Sequence, residues 1–341
     1  MTAPQPSNPT SAFAATVGRY FTVISVVPSL ILVAFVNVLA RSGAWSHEPD
    51  FGAGIQALTQ AGLGGAFTLI LMALALGVVL HPLQYPLVQF LEGYWGASPF
   101  WRALREDRIR YHVWRRNKLG LLAADEAQTL GLVEQDDDVG ALSKVQLPDE
   151  FYAVHGAEKV AADRLESSYP RNPGHIMPTR LGNVLRAAET NAVVVYGLDV
   201  IDFGPHLMLV APREHAEYVN DQRTALDLAI RTCLVCLLGF VAAVLFLLPH
   251  KLWLLISLIP LGLSWMCYLG AVTAAQEYGE ALRMLVDLNR FALYKQLRLP
   301  LPTTTNSERK TVENLKGLSS DPQEGVSVRY RHPPDTPNLN N

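Results

Sequence analysis

The sequence predicts a mainly α-helical, polytopic membrane protein, with four transmembrane helices as two hairpins and a mostly helical cytoplasmic domain between them. Three observations predict it. Charged residues make up 17% of the chain, against roughly 25% in an ordinary soluble domain, and the shortfall is concentrated in four windows. Each window supplies close to the 20 or so apolar residues that a helix needs to cross roughly 30 Å of hydrocarbon. Lysine and arginine crowd the segments on one side of these windows and are nearly missing from the other, as the positive-inside rule requires.

Taken in order, residues 1–19 form a cytoplasmic N-terminus, and 20–40 form a first span without a charge. Val38-Leu39-Ala40 would serve as a cleavage site, but no lysine or arginine precedes Arg19. A signal peptide opens on a basic region, so a retained anchor is expected. Residues 41–63 are an external loop. The second span, 64–90, runs through His81-Pro82 and is expected to kink near Pro82 and Pro86. After the cytoplasmic domain of 91–224, the third span covers 225–248 and holds Arg231, with Asp227 placed for an i,i+4 ion pair. A tight external turn at 249–251 leads to the fourth span, 252–273, with Pro260 near its middle as a second expected kink.

Residues 274–299 extend the fourth helix into the cytoplasm, where Glu280, Arg283, Asp287 and Arg290 are spaced for an ion-pair ladder. The tail, 300–341, is rich in Pro, Thr, Ser and Asn and is expected to be disordered. The external connections hold only Arg41 and Lys251. That asymmetry places both termini in the cytoplasm and the protein in the plasma (inner) membrane. Small residues at four-residue spacing, Ala73 with Gly77, Gly270 with Ala274 and Ala271 with Ala275, mark contact faces of a packed bundle.

Apart from Asp227 at the entry of the third span, the ionisable side chains singled out within the spans are His81 and Arg231, and interface anchoring accounts for both better than an ion pathway does. The three cysteines all lie in apolar windows. Cys233-x-x-Cys236 has only Leu and Val around it, so it reads as membrane-helix packing rather than a redox or zinc pair.

Behind the second span, Tyr94, Trp95 and Trp101 sit where aromatic residues anchor a membrane interface. Ser98 caps and Pro99 opens a helix that reaches about Lys118. Arg102 and Arg105 lead its seven basic residues, set against Glu106 and Asp107. Such a helix either lies on anionic lipid, each basic residue contributing about 1 kcal/mol, or is a solvated flank. Residues 119–177 are loosely patterned, with helical periodicity at 123–132 and 157–168. The acidic run 134–138 lacks the ligand spacing of a calcium loop.

The best-formed polar segment is Pro178-Thr179-Arg180-Leu181-Gly182-Asn183-Val184-Leu185-Arg186-Ala187-Ala188-Glu189, followed by Tyr196-Gly197-Leu198-Asp199. Thr179 can cap this helix, and Leu181, Val184, Leu185 and Ala188 form one apolar face. With Leu91 to Trp95 upstream, these stretches resemble a family of uncharacterised actinobacterial four-helix integral membrane proteins, and the resemblance implies architecture but no chemistry. Arg180, Asn183, Arg186 and Glu189 share a polar stripe. The stripe either contacts an anionic headgroup or partner protein, or docks the helix onto the inner ends of the bundle.

No nucleotide, hydrolase or zinc-protease motif occurs. His215 between Glu214 and Glu217 is the nearest approach to an acid–base group. No catalytic residue, cofactor or metal ligand is therefore assigned, and no nucleic-acid partner is expected. The expected function is a membrane-anchored interaction or scaffold protein, with the bilayer, anionic lipids, a cytoplasmic protein or a second copy as partners. The alternative is a subunit of an oligomeric channel or transporter.

Overall fold

Every regular element that the computed structural model describes is helical; it describes residues 26–45, 47–129, 160, 164–319, 328 and 330–331. The N-terminal segment, the first residues of the expected first span, the acidic run at 134–138 and most of the tail beyond 319 lie outside the described residues. The chain divides into two units. One comprises Met1–Phe90 with Asn220–Tyr278, and the other Leu91–Val219 with Gly279–Asn341.

In the first unit, α1 (Val27–Arg41) carries Pro28 as its second residue, which costs nothing in a first turn whose N–H groups have no intrahelical partners to lose. At 15 described residues it is about 22 Å long. Three longer apolar stretches are long enough to cross a membrane: α3 (Gly62–Leu80), α8 (Arg213–Leu247), and the helical run Trp253–Gln296, which contains α9 (Leu258–Gln296). The connection at 41–63 is not bare. It carries α2 (Phe51–Thr59), capped by Asp50, whose Oδ1 accepts the Ala53 N–H at 3.0 Å.

Where the apolar helices meet, their contacts are small and local. Leu32 on α1, Leu80 on α3 and Val235 on α8 form one cluster. Leu39, Ala44, Ala243 and Leu247 form another, near which the His250 ring bonds to the Ala44 carbonyl at 2.8 Å. The 41–63 connection and the α8–α9 turn therefore lie at the same end of this unit. Ala73 and Gly77 face inward, as do Ala271 and Ala275, whereas Gly270 faces open space. Of the two small-residue registers on α9, the second is the buried one.

The helix is interrupted where the proline kink was expected: α3 ends at Leu80, residues 81–83 form a turn, and α4 (Gln84–Glu92) follows with Pro86 in its first turn. The other expected kink is corrected. Pro260 does not sit mid-helix. A 3-10 turn occupies Trp253–Ser257, so Pro260 is the third residue of α9, where its missing N–H has no partner to lose.

In the second unit, α5 spans Pro99–Thr129, well past the expected Lys118. The later helices are α6 (Arg180–Tyr196), α7 (Val200–Val210) and α10 (Thr305–Ser319), and the starting turns of α8 and the last turns of α9 also belong here. α6 is the hub, packing on α7 and α10 and burying Leu181, Val184 and Ala187. Asp199 caps α7 by accepting the Ile201 N–H at 3.0 Å.

The expectation of a disordered tail fails over 305–319. Val312 of α10 is fully buried, the Tyr294 hydroxyl donates to Glu308 at 2.9 Å, Lys316 pairs with Asp199 at 3.5 Å, and Arg309 donates to the Val195 carbonyl at 3.1 Å. The ladder expected along α9 is also not the one formed. Arg290 turns to Glu308, at 3.3 Å, and places its guanidinium 4.2 Å from the centre of the Tyr196 ring.

Candidate functional site

The sequence-predicted stripe on α6 splits into two kinds of residue. Asn183 is 1% exposed and acts as a clamp: its Oδ1 accepts the Met177 N–H at 2.9 Å, and its Nδ2 donates to the carbonyls of Met177 at 2.8 Å and Thr179 at 2.7 Å. An amide is the one short side chain that both donates and accepts in this way. Asn183 is therefore not on an outward face, contrary to the even polar stripe read from spacing. Arg180 is half-buried, and Arg186 pairs with Glu189 at 3.1 Å.

Thr179 caps α6 through the Gly182 N–H at 3.0 Å and also donates to the Glu92 carbonyl at 2.8 Å. The approach is so close that a Cβ at Gly182 would lie 2.1 Å from that carbonyl oxygen. Beside it, Gly93 takes φ +105°, turning the chain out of α4 against the Pro178 ring. This contact brings the Glu92 carboxyl near Arg186 and Glu189. Burial, with Glu189 nearby and Arg186 opposing, raises the Glu92 pKa to about 7. Burial likewise raises that of Glu189, again against Arg186.

A second centre joins residues 57 apart in sequence. His112 of α5 is fully buried, and its Nδ1 meets the Tyr169 hydroxyl at 3.0 Å. Burial, then the nearby Arg108, Arg115 and Arg180, lowers the His112 pKa to about 4, with the Pro178 backbone acting in the other direction. The ring is thus neutral at physiological pH. Burial raises the Tyr169 pKa, so the pair is a neutral hydrogen bond and not an ion pair.

Tyr169 also lines an open cleft of about 500 Å³. Arg116 from α5, Arg171 from the segment that follows Tyr169, and Arg283 from α9 line it as well, with Tyr196 at the end of α6. Arg116 Nη2 donates to the Arg171 carbonyl at 2.9 Å, which fixes one guanidinium at the rim. Glu166 and Asp287 add two carboxylates. Among the described residues, none of these three arginines has a carboxylate within ion-pair distance.

The remaining sequence candidates are dispersed. Tyr94 is exposed, Trp95 and Trp101 are half-buried with ring centres 5.8 Å apart, Arg102 is exposed and Arg105 half-buried. In the first unit His81 is exposed at the end of α3, while Arg231 is buried and donates to Gln84 Oε1 at 2.8 Å. His215 meets an amide: the Asn289 Nδ2 lies 3.2 Å from its Nδ1 and donates onward to the Leu285 carbonyl at 2.9 Å. Among the described residues no group of His, Cys, Asp and Glu side chains is placed to hold a metal ion.

The cleft and the His112–Tyr169 pair were invisible to sequence reasoning because they assemble from elements far apart in the chain. The one usable signal was Arg116, inside a basic run that a membrane flank already explained. Comparison with protein families, with curated proteins and with solved structures returns no match.

Proposed function

We propose that the protein is a plasma-membrane-anchored interaction protein. Four crossings, with both termini cytoplasmic, hold the second unit at the inner face of the membrane as a binding module. The observation that carries this reading is where the open polar surface gathers. Among the described residues of the first unit Arg231 is the one buried charged side chain, its guanidinium donating to Gln84, and the other buried polar side chains there are the hydroxyls of Ser29, Ser42, Ser257 and Ser264. The second unit, by comparison, holds a polar cleft. The lysine and arginine asymmetry supports the orientation.

A subunit of an oligomeric pore is the competing reading. Gly262 and Gly270 on α9 favour it, because both face open space where a second copy would pack. The two readings separate in one preparation, by light-scattering mass in detergent together with solute flux after reconstitution into liposomes. The anchor reading expects a small assembly and sealed liposomes. A closed ring of many copies that conducts ions would replace it with the pore.

A further inference from the structure

The cleft in the second unit combines three features that surface arginines seldom share. Its arginines come from three separate elements, α5, the 168–172 segment and α9, so the fold lines one cleft with them and a single helical stripe does not. One of them, Arg116, is held in place by its bond to the Arg171 carbonyl. Its tyrosines are fixed from behind: Tyr169 is tied to His112 at 3.0 Å, and Arg290 stacks on Tyr196. Arg290 is in turn held by Glu308 of the docked α10.

Size and charge narrow what fits. About 500 Å³ exceeds a bare inorganic anion and falls among clefts that take small organic molecules. Three arginines against Glu166 and Asp287 leave an excess of positive charge. Planar guanidinium forks match the oxygens of a phosphate, and several of them suit a group with three terminal oxygens. The half-buried Tyr196 ring, with the edge of Tyr169 beside it, offers apolar surface to the body that carries it.

We propose that this cleft binds a small organic phosphate monoester, its phosphate on Arg116, Arg171 and Arg283 and its organic part against Tyr169 and Tyr196. The same chemistry is presented by a soluble ester and by a lipid headgroup. The inference concerns this unit alone and stands whichever side of a membrane it occupies.

The test uses the full chain in phosphatidylcholine nanodiscs, titrated calorimetrically with phenyl phosphate. Saturable single-site binding is expected, with inorganic phosphate competing weakly. Arg116→Gln and Arg283→Gln should each weaken it about tenfold, the loss of one charge-assisted contact, while Lys310→Gln on the exposed side of α10 leaves it unchanged. Arg283 is exposed, so its variant folds as the parent does, and thermal unfolding checks this. Nanodiscs containing phosphatidic acid then separate the two sources. A fall in apparent affinity for phenyl phosphate that Arg283→Gln removes assigns the cleft to a lipid headgroup, and an unchanged affinity assigns it to a soluble ester. Failure of phenyl phosphate to saturate the folded protein, with no effect of phosphatidic acid, overturns the proposal. So does binding that both arginine variants leave intact.

Discussion

The two units of this chain solve the same problem, packing helices, by opposite means. In the first unit the inner contacts are Leu, Val and Ala in small clusters, and much of the apolar surface points outward: Leu63 is 93% exposed, and Trp265 and Met266 are also exposed. In water such a surface is unfavourable at about 25 cal/mol per Å²; in lipid it carries no penalty, and packing must come from close fit. In the second unit, named polar side chains pin the helices. Asn183, Thr179, His112, Glu308 and Asn289 each bridge or cap a specific backbone or side-chain group. The difference teaches that the first unit packs by apolar contact with polar bonds at a few points, such as Arg231 to Gln84 and Ser264 to the Cys233 carbonyl. The second adds a denser set of such bonds to its buried Leu, Val and Phe side chains, so the two should respond differently to the same kind of substitution.

Glycine gives the largest contrast. Gly182→Ala in the second unit drives a Cβ into the Glu92 carbonyl and should cost about 3 kcal/mol or more. Gly262→Ala on α9 of the first unit meets nothing within 4 Å and should be neutral or stabilising by about 0.5–1 kcal/mol. Thermal unfolding by circular dichroism reads both, and equal losses would erase the distinction drawn between the units.

Next in size is Asn183→Ala, which strands the Met177 N–H and two carbonyls and should cost about 2 kcal/mol. A smaller effect, about 1 kcal/mol, is expected for Tyr294→Phe, which removes the hydroxyl that holds Glu308. Hydrogen exchange at 305–319 should then rise before that of α6, and uniform protection would show that α10 is held by other contacts.

The smallest effect is a pH dependence of opposite sign at two sites. Glu92 has its folded pKa raised to about 7 from 4.5, so the native state binds the extra proton, and its contribution is lost as pH rises from about 4.5 through 7. His112 has its folded pKa lowered to about 4 from 6.5, so the unfolded state binds the extra proton, and stability is lost as pH falls from about 6.5 toward 4. Glu92→Gln should raise the melting temperature at pH 8 by a few degrees and leave that at pH 5 nearly unchanged, solvent screening keeping the effect to the order of 1 kcal/mol. A variant that melts as the parent does at pH 8 would show that Glu92 is solvated.

What the sequence reveals follows the same division. Uncharged windows of about 20 residues are legible because lipid demands them over a whole helix, and the starts of α5 at Pro99 and of α6 after Thr179 are legible because helix-opening signals are local. The break at His81-Pro82 was half legible: a proline marks a place, but whether the helix bends or restarts depends on what packs around it. Pro260 misled because the 3-10 turn before it moved the start of α9 inward. α10 was hidden by its polar composition, since Val312 and Glu308 gain meaning only against Tyr294 and Arg290. The cleft needed three elements to be placed before any of its arginines stood out.

The side of a bilayer that the polar segments occupy decides whether the proposed topology is right. Single cysteines placed at Arg171 and at Lys251, in a chain whose own Cys233, Cys236 and Cys267 are replaced by alanine, can be labelled in intact cells with a membrane-impermeant maleimide. Labelling at 251 alone, with 171 reacting only after the cells are opened, is the result this account predicts. Labelling at 171 in sealed cells would contradict it.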